Sequence, residues 1–429
     1  MNRNFAVTRG ENMVKLLILA DDFTGALDTG VQFAACGIPT RVVVREVPQL
    51  ASCESTVLVV DTETRHLPQK QAFSVVETLT SRAVKAGVRC IYKKTDSALR
   101  GNIGAELSAL YKASGSRQLP FLPAFPQIGR TTEQGIHYIN GVPVTESPFG
   151  IDPFEPVHHA RITELLAEQS DLHAKNFPAL REGDPIPTAE GILIFDAATV
   201  SDLKTTGQQL FRAGVSQAMA GCAGFAACLP ALLGLASSKK MSVPKLDSRL
   251  LVLCGSVNPI TLKQLDVAEQ AGFARLRLTP QQKLEPGYWE SEAGAVALAD
   301  IEKMLTTTPH CIIETNDAGG NQLTAQYAAE RGIDLDGIRV GISSSVGHML
   351  GALFTSPALG TLLLTGGDTL LQCMNCIGVQ ELEPVCELES GVVLARFTYK
   401  ECTRYIITKS GGFGQETLLI DLTARIAEN

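Results

Sequence analysis

Six short apolar runs, each the length of a strand, stop abruptly at loops of polar or small residues, and the loops are of two chemical kinds. In the first half, LLILA leads into Asp21-Asp22-Phe23-Thr24-Gly25, TVLVV into Asp61-Thr62-Glu63-Thr64-Arg65, and CIYK into Lys94-Thr95-Asp96-Ser97. In the second half, LLVLC leads into Gly255-Ser256-Val257-Asn258-Pro259, TLLL into Thr365-Gly366-Gly367-Asp368-Thr369, and YIIT into Lys409-Ser410-Gly411-Gly412-Phe413-Gly414. Helical patterns separate these runs, which is the signature of α/β architecture with mainly parallel sheets. In such sheets ligands bind beyond the carboxyl ends of the strands. Charged loops suit a small polar acid, whereas Gly/Ser/Thr loops offer backbone N–H groups and hydroxyls to phosphates. One half therefore reads as a sugar-acid site and the other as a nucleotide site, the pairing expected of a kinase.

A chain of 429 residues exceeds one ordinary core, so two domains are expected. Each should hold a mainly parallel sheet flanked by helices, with the active site in the cleft between them. Residues 1–12 read as a disordered leader, 13–235 as the acid-binding domain, 236–248 as a polar linker and 249–429 as the nucleotide domain. The Pro-, Gly- and Thr-rich stretch 121–156 reads as an irregular insertion with a tight turn at Asn140-Gly141.

A net charge of −8 argues against a nucleic-acid partner. No apolar run approaches the roughly 18 residues needed to span a membrane, and no secretory signal precedes the eleven cysteines. Reduced thiols and a cytoplasmic location follow as expectations. Cys373 and Cys376 have metal-ligand spacing but lack a second pair, so core packing is the expected role. A homodimer is compatible with the general habit of soluble enzymes, though no segment specifies an interface.

Adjacent Asp21 and Asp22 repel one another; one is expected to cap the following helix and the other to face a ligand. Lys94, Thr95, Asp96, Ser97 and Arg100, with Arg65, place cations, carboxylates and hydroxyls at equivalent strand ends. Arg65 and Lys94 are the expected partners of a substrate carboxylate. Asp22, or else Asp96, is the expected base for a substrate hydroxyl. For ATP, Ser256, Thr365, Gly366, Gly367, Asp368, Gly411, Gly412 and Gly414 are the expected contacts, because glycines admit phosphate oxygens where a Cβ would obstruct them. Mg²⁺ is expected with ATP, and Asp368 either holds it, directly or through water, or caps the next helix. Lys409 either adds charge to this site or forms a surface pair. No GxxxxGK[ST] string is present, which excludes a P-loop enzyme.

The ordered motifs ILADDFTGALDTG, YKKTDSALRGNIGAEL, AFPQIGRTTEQGIHYINGVPVTES, LCGSVNPIT, LLTGGDT and ITKSGGFG resemble those of the four-carbon acid sugar kinases. That family includes threonate, erythronate and 3-oxo-tetronate kinases. The resemblance spans nearly the whole chain and implies an N-terminal acid-sugar domain and a C-terminal nucleotide domain. DDFTGALDTG with VVDTETRHLP is more similar to the threonate kinases, which implies phosphorylation of D-threonate at its terminal 4-hydroxyl. D-erythronate, L-threonate and 3-oxo-tetronate stand as alternatives, as does a non-catalytic sensor of sugar acid and nucleotide. One departure is Ala98, where the family commonly has Thr after the Asp-Ser pair.

Overall fold

The computed structural model describes residues 14–44, 50, 53, 55–152, 155–235 and 243–428. The chain divides into two compact units, one up to residue 240 and one from residue 241. The expected leader and residues 236–242 of the expected linker lie outside the described residues; residues 243–248 form no helix or strand.

The first unit begins with β1 (Leu16–Ala20), α1 (Phe23–Ala34), β2 (Thr40–Val44), β3 (Val57–Asp61), α2 (Gln69–Lys85), β4 (Cys90–Lys94), α3 (Ile103–Ser114) and β5 (Gln118–Leu122). Next come β6 (Arg130–Glu133), β7 (Ile136–Ile139) and β8 (Val142–Pro143), then α4 (Ile162–Ala167), β9 (Ala174–Phe177), β10 (Gly191–Phe195), α5 (Val200–Arg212), β11 (Ala218–Gly221), α6 (Ala223–Ala226) and α7 (Leu229–Leu232). Its main sheet runs β2-β3-β1-β4-β11-β5-β10-β9, and every pairing in it is parallel. All five residues of β1, β3 and β4 are buried, as expected of central strands covered by helices on both faces. Helix α1 starts at Phe23, three residues before its apolar pattern suggests, because the Asp22 side chain caps it by accepting from Gly25 N. The stretch 121–156 is more regular than its composition suggests. Strands β6, β7 and β8 form a small antiparallel sheet, and the turn at Asn140-Gly141 joins the last two.

The second unit contains β12 (Leu250–Cys254), α8 (Pro259–Gln270), β13 (Ala274–Arg277), α9 (Pro280–Leu284), α10 (Glu292–Thr307), β14 (His310–Glu314), α11 (Gln322–Ala329), α12 (Leu335–Leu353), β15 (Thr361–Thr365) and α13 (Gly367–Cys376). It closes with β16 (Glu381–Glu389), β17 (Val392–Tyr399), β18 (Cys402–Lys409) and α14 (Leu418–Glu428). Strands β13-β14-β12-β15-β18 are parallel, and β17 and β16 extend the sheet antiparallel. The α/β class with mainly parallel sheets therefore holds in both units.

All eleven cysteines are free thiols. Cys373 is buried in α13 while Cys376 at its end is exposed, and no cluster of His, Cys, Asp or Glu among the described residues could hold a metal ion. No helix among the described residues is long and apolar enough to cross a membrane.

Candidate functional site

Strands β3, β1 and β4 are neighbours in register, with Ala20 opposite both Asp61 and Lys94. The three charged loops of the first half therefore leave the same edge side by side. Arg65 sits among them. Its Nε donates to Asp21 Oδ2 at 2.7 Å, its Nη1 to Asp22 Oδ2 at 2.9 Å, and its Nη2 lies 3.6 Å from Asp96 Oδ1. Burial alone would lower the Arg65 pKa, but Asp21, Asp22 and Asp96 together raise it well above its ordinary value. Its charge is thus already shared among three carboxylates, which changes its expected role as a dedicated partner for substrate.

Neither adjacent aspartate is free in the sense expected from sequence. Asp22 is the helix cap and also pairs with Arg65, while Asp21 is buried against Arg65. The two differ in exposure: the Asp22 side chain is 21% exposed, against 3% for Asp21 and 9% for Asp96. Asp96 is further committed. It accepts from Ala98 N and Arg100 N, and Arg100 forks onto it at 2.9 and 3.0 Å. Burial would raise the Asp96 carboxyl, yet Arg100 and Arg65 hold it well below the usual carboxylate range. A carboxylate so stabilised is a poor proton acceptor.

Lys94 is 4% exposed, and its ammonium makes no hydrogen bond with any described residue, though its charge lowers the pKa of buried Asp21. A Cβ added to Gly25 would collide with Asp22 Oδ1 and lie 2.6 Å from Lys94 Nζ, so the ammonium rests on the first turn of α1. The buried Thr95 Oγ1 likewise has no partner. Ala98, the departure from the family pattern, is fully buried in the core of the first unit.

Two residues of the small sheet join this group without having been singled out from sequence. Arg130 donates through Nη1 to Ser97 Oγ, and both Arg130 and Arg100 lie over the Phe149 ring at 5.1 Å. His137 Nε2 donates to the Ser97 carbonyl at 2.9 Å, which leaves Nδ1 to accept from Thr132 Oγ1 at 3.0 Å. The only sequence signal for them was their place inside AFPQIGRTTEQGIHYINGVPVTES. Behind the loops, Lys93 pairs with Glu106 at 3.1 Å, Thr64 donates to Glu106, and Asn102 Nδ2 donates to the carbonyls of Thr64, Arg65 and Leu67. These bonds fix the loop that carries Arg65.

Burial, reinforced by the nearby charge of Arg130, moves the His137 pKa from 6.5 down to about 4. The neutral ring is thus the native form. Its contribution is fully present above pH 6.5 and is lost as pH falls through that value toward 4. The shift corresponds to about 3 kcal/mol. Urea unfolding at pH 7 and at pH 4.5 is expected to show a smaller loss of stability in His137→Gln than in the parent; equal losses would mean that this ring does not couple to folding.

In the second unit, β12, β15 and β18 are adjacent and parallel, with Cys254 opposite Thr365 and Thr365 opposite Lys409. The loops carrying Ser256, Thr365-Gly366-Gly367-Asp368 and Gly411-Gly412-Phe413-Gly414 therefore share one sheet edge. Gly366 has φ +108°, and a Cβ there would stand 3.1 Å from the Gly255 carbonyl carbon, so the chain needs glycine at that point. A Cβ on Gly411 would lie 2.9 Å from Ser256 Oγ, which brings the first and third loops together. Gly414 is held by Gln264, which donates to the carbonyls of Phe413 and Gln415 on either side of it. Thr365 Oγ1 is buried without a partner at the floor of this cradle.

Lys409 is not a surface residue. Its buried Nζ donates to Thr261 Oγ1 at 2.9 Å and to the Ser410 carbonyl at 3.0 Å, securing the last glycine loop. Asp368 stands in the first turn of α13 and pairs with Arg339 at 3.1 Å. A fourth loop, missed in the sequence, follows β14: Asn316 Nδ2 donates to the Ser256 carbonyl at 3.0 Å.

The two units match two family models, a sugar-binding N-terminal domain over residues 16–229 and a nucleotide-binding C-terminal domain over residues 251–419. The chain is 31% identical to a D-threonate kinase of Salmonella typhimurium, over 97% of this chain and 99% of that one. The chain belongs to the four-carbon acid sugar kinase family. The kinase is also 28% identical to a D-erythronate kinase of Heliobacterium modesticaldum, across 60% of this chain and 61% of that one. A solved structure from Salmonella typhimurium LT2 shares the fold of the kinase at a TM-score of 0.73 and 20% identity, covering 96% of this chain and 99% of that one.

Proposed function

We propose that this kinase transfers the γ-phosphoryl group of ATP to the terminal 4-hydroxyl of D-threonate. The observation that carries this reading is the charged set Asp22, Arg65, Lys94 and Asp96 at one sheet edge of the sugar-binding unit, in a chain end-to-end similar to a D-threonate kinase. Thr95, Ser97 and Arg100 complete the acid site. An acid of four carbons carries one carboxylate and several hydroxyls, and with Arg100 and Arg130 the site offers cations to the first and acceptors to the second. Asp22 is the base: it is the most exposed of the three carboxylates on Arg65, and its cap fixes where it points.

On the nucleotide side, the main chain around Gly366, Gly367, Gly411, Gly412 and Gly414 accepts the phosphates, with Ser256 and Thr365 supplying hydroxyls. The unpartnered Thr365 Oγ1 and the close approach at Gly366 fit an anion that these loops enclose. Mg²⁺ neutralises charge developing on the phosphates when bound. In the three glycine-bearing loops the one carboxylate is Asp368, which suits an ion carried largely by phosphate oxygens and water.

Coupled ADP-release kinetics over D-threonate, D-erythronate, L-threonate and 3-oxo-tetronate test the proposal. D-threonate is expected to give the highest kcat/KM by at least about tenfold, the size of effect of one well-placed polar contact. A different winner overturns the substrate assignment, and folded protein that releases no ADP with any of these acids overturns the kinase assignment.

A further inference from the structure

The most unusual group in the first unit is the Lys94 ammonium. It is 4% exposed, makes no hydrogen bond with any described residue, and lies against Gly25 in the first turn of α1. That turn has donors to spare. The N–H of Gly25 is taken by Asp22 Oδ1, but those of Phe23 and Thr24, both buried, donate to no described residue. The ammonium and these two amides thus belong to the same end, the positive one, of a 12-residue helix. The charge of Lys94 is felt by buried Asp21, whose Oδ1 has no hydrogen-bond partner among the described residues, but no described carboxylate bonds the ammonium, and the turn keeps donors for a further anion.

Its position says which anion. The Gly25 site lies between Lys94 Nζ and Asp22 Oδ1, so the cation stands beside the carboxylate that takes the hydroxyl proton. We infer that Lys94 and the Phe23 and Thr24 amides bind the phosphoryl group as it arrives on the 4-oxygen, and hold the phosphate of the product, rather than gripping the carboxylate of the acid.

This inference rests on the kinase reading above and fixes the orientation of the acid. Its 4-hydroxyl end lies at α1, and its carboxylate lies toward the Ser97–Arg100 loop, where Arg130 and Arg100 stand. In the step itself the bond between the 4-oxygen and the γ-phosphorus forms. The bond from that phosphorus to the β,γ-bridging oxygen breaks, ADP leaves with the electron pair, and the hydroxyl proton passes to Asp22. Lys94 and the two amides meet the equatorial phosphoryl oxygens, whose charge no group on the free acid presents.

The test is calorimetric titration of the full chain, without nucleotide, using D-threonate, its 4-phosphorylated product and inorganic phosphate. Lys94→Met removes the ammonium at similar volume. Its affinity for the product and for the Lys94-dependent share of inorganic phosphate is expected to fall at least about tenfold, while that for D-threonate changes by less than about threefold. Under turnover the same variant should lose kcat with KM for the acid nearly unchanged. Lys94→Gln, which leaves an uncharged polar group in the same place, is a second variant and should weaken the product in the same selective way. Equal losses for acid and product would assign Lys94 to a group common to both and overturn the inference, as would product binding that neither variant alters. If D-threonate fails to bind the parent, the substrate reading falls, and the inorganic phosphate titrations still decide the anion site.

Discussion

Asp22→Asn is expected to lower kcat by about a thousandfold, within the usual range for loss of a positioned general base. The fold should survive, because asparagine caps a helix as well as aspartate and can still accept from Gly25 N. Arg65 keeps Asp21 and Asp96 as partners, so the KM for the acid should change only a few-fold. Steady-state kinetics with a thermal melt on the same sample checks this. Asp96→Asn should behave differently: with one acceptor oxygen in place of two it breaks the fork with Arg100, and should raise KM along with any fall in kcat. Turnover of Asp22→Asn within about threefold of the parent would remove Asp22 as the base.

What the sequence makes legible here is local. A short apolar run that stops at polar or small residues reads directly as a strand, and each of the six is one. The helix after Asp22 is legible in kind but not at its start, since a capping role is visible only once the side chain is placed. Contacts between distant segments leave no local trace. Ser97 and Arg130 are 33 residues apart, and Ser97 and His137 are 40 apart, joined through a small sheet whose composition reads as irregular. The same limit applies to Lys409, whose burial depends on Thr261, 148 residues away. Charge balance is equally non-local. Arg65 reads as an available cation until three carboxylates from two other loops surround it, whereas the Lys94 ammonium, whose charge acts on Asp21, makes no hydrogen bond with any described residue.

Gly367→Val is expected to raise the KM for ATP by at least about a hundredfold, because a branched side chain would stand where the main chain must meet phosphate oxygens. Gly367 is the better probe than Gly366. It is the first residue of α13 and lies outside the positive-φ glycines, so valine fits the backbone, whereas φ +108° at Gly366 would strain any side chain. Titration of D-threonate into the variant should match the parent, since the acid site belongs to the other unit. Parent-like ATP binding by the folded variant would place the nucleotide elsewhere.

The most direct measurement is the identity of both products of a single reaction with D-threonate and Mg-ATP, read by phosphorus NMR with proton coupling. The account predicts one ADP per acid consumed and a phosphomonoester whose phosphorus couples to the two protons of the terminal CH₂ group. Release of AMP and pyrophosphate, or a phosphorus coupled to a single carbon-bound proton at an internal position, would contradict it.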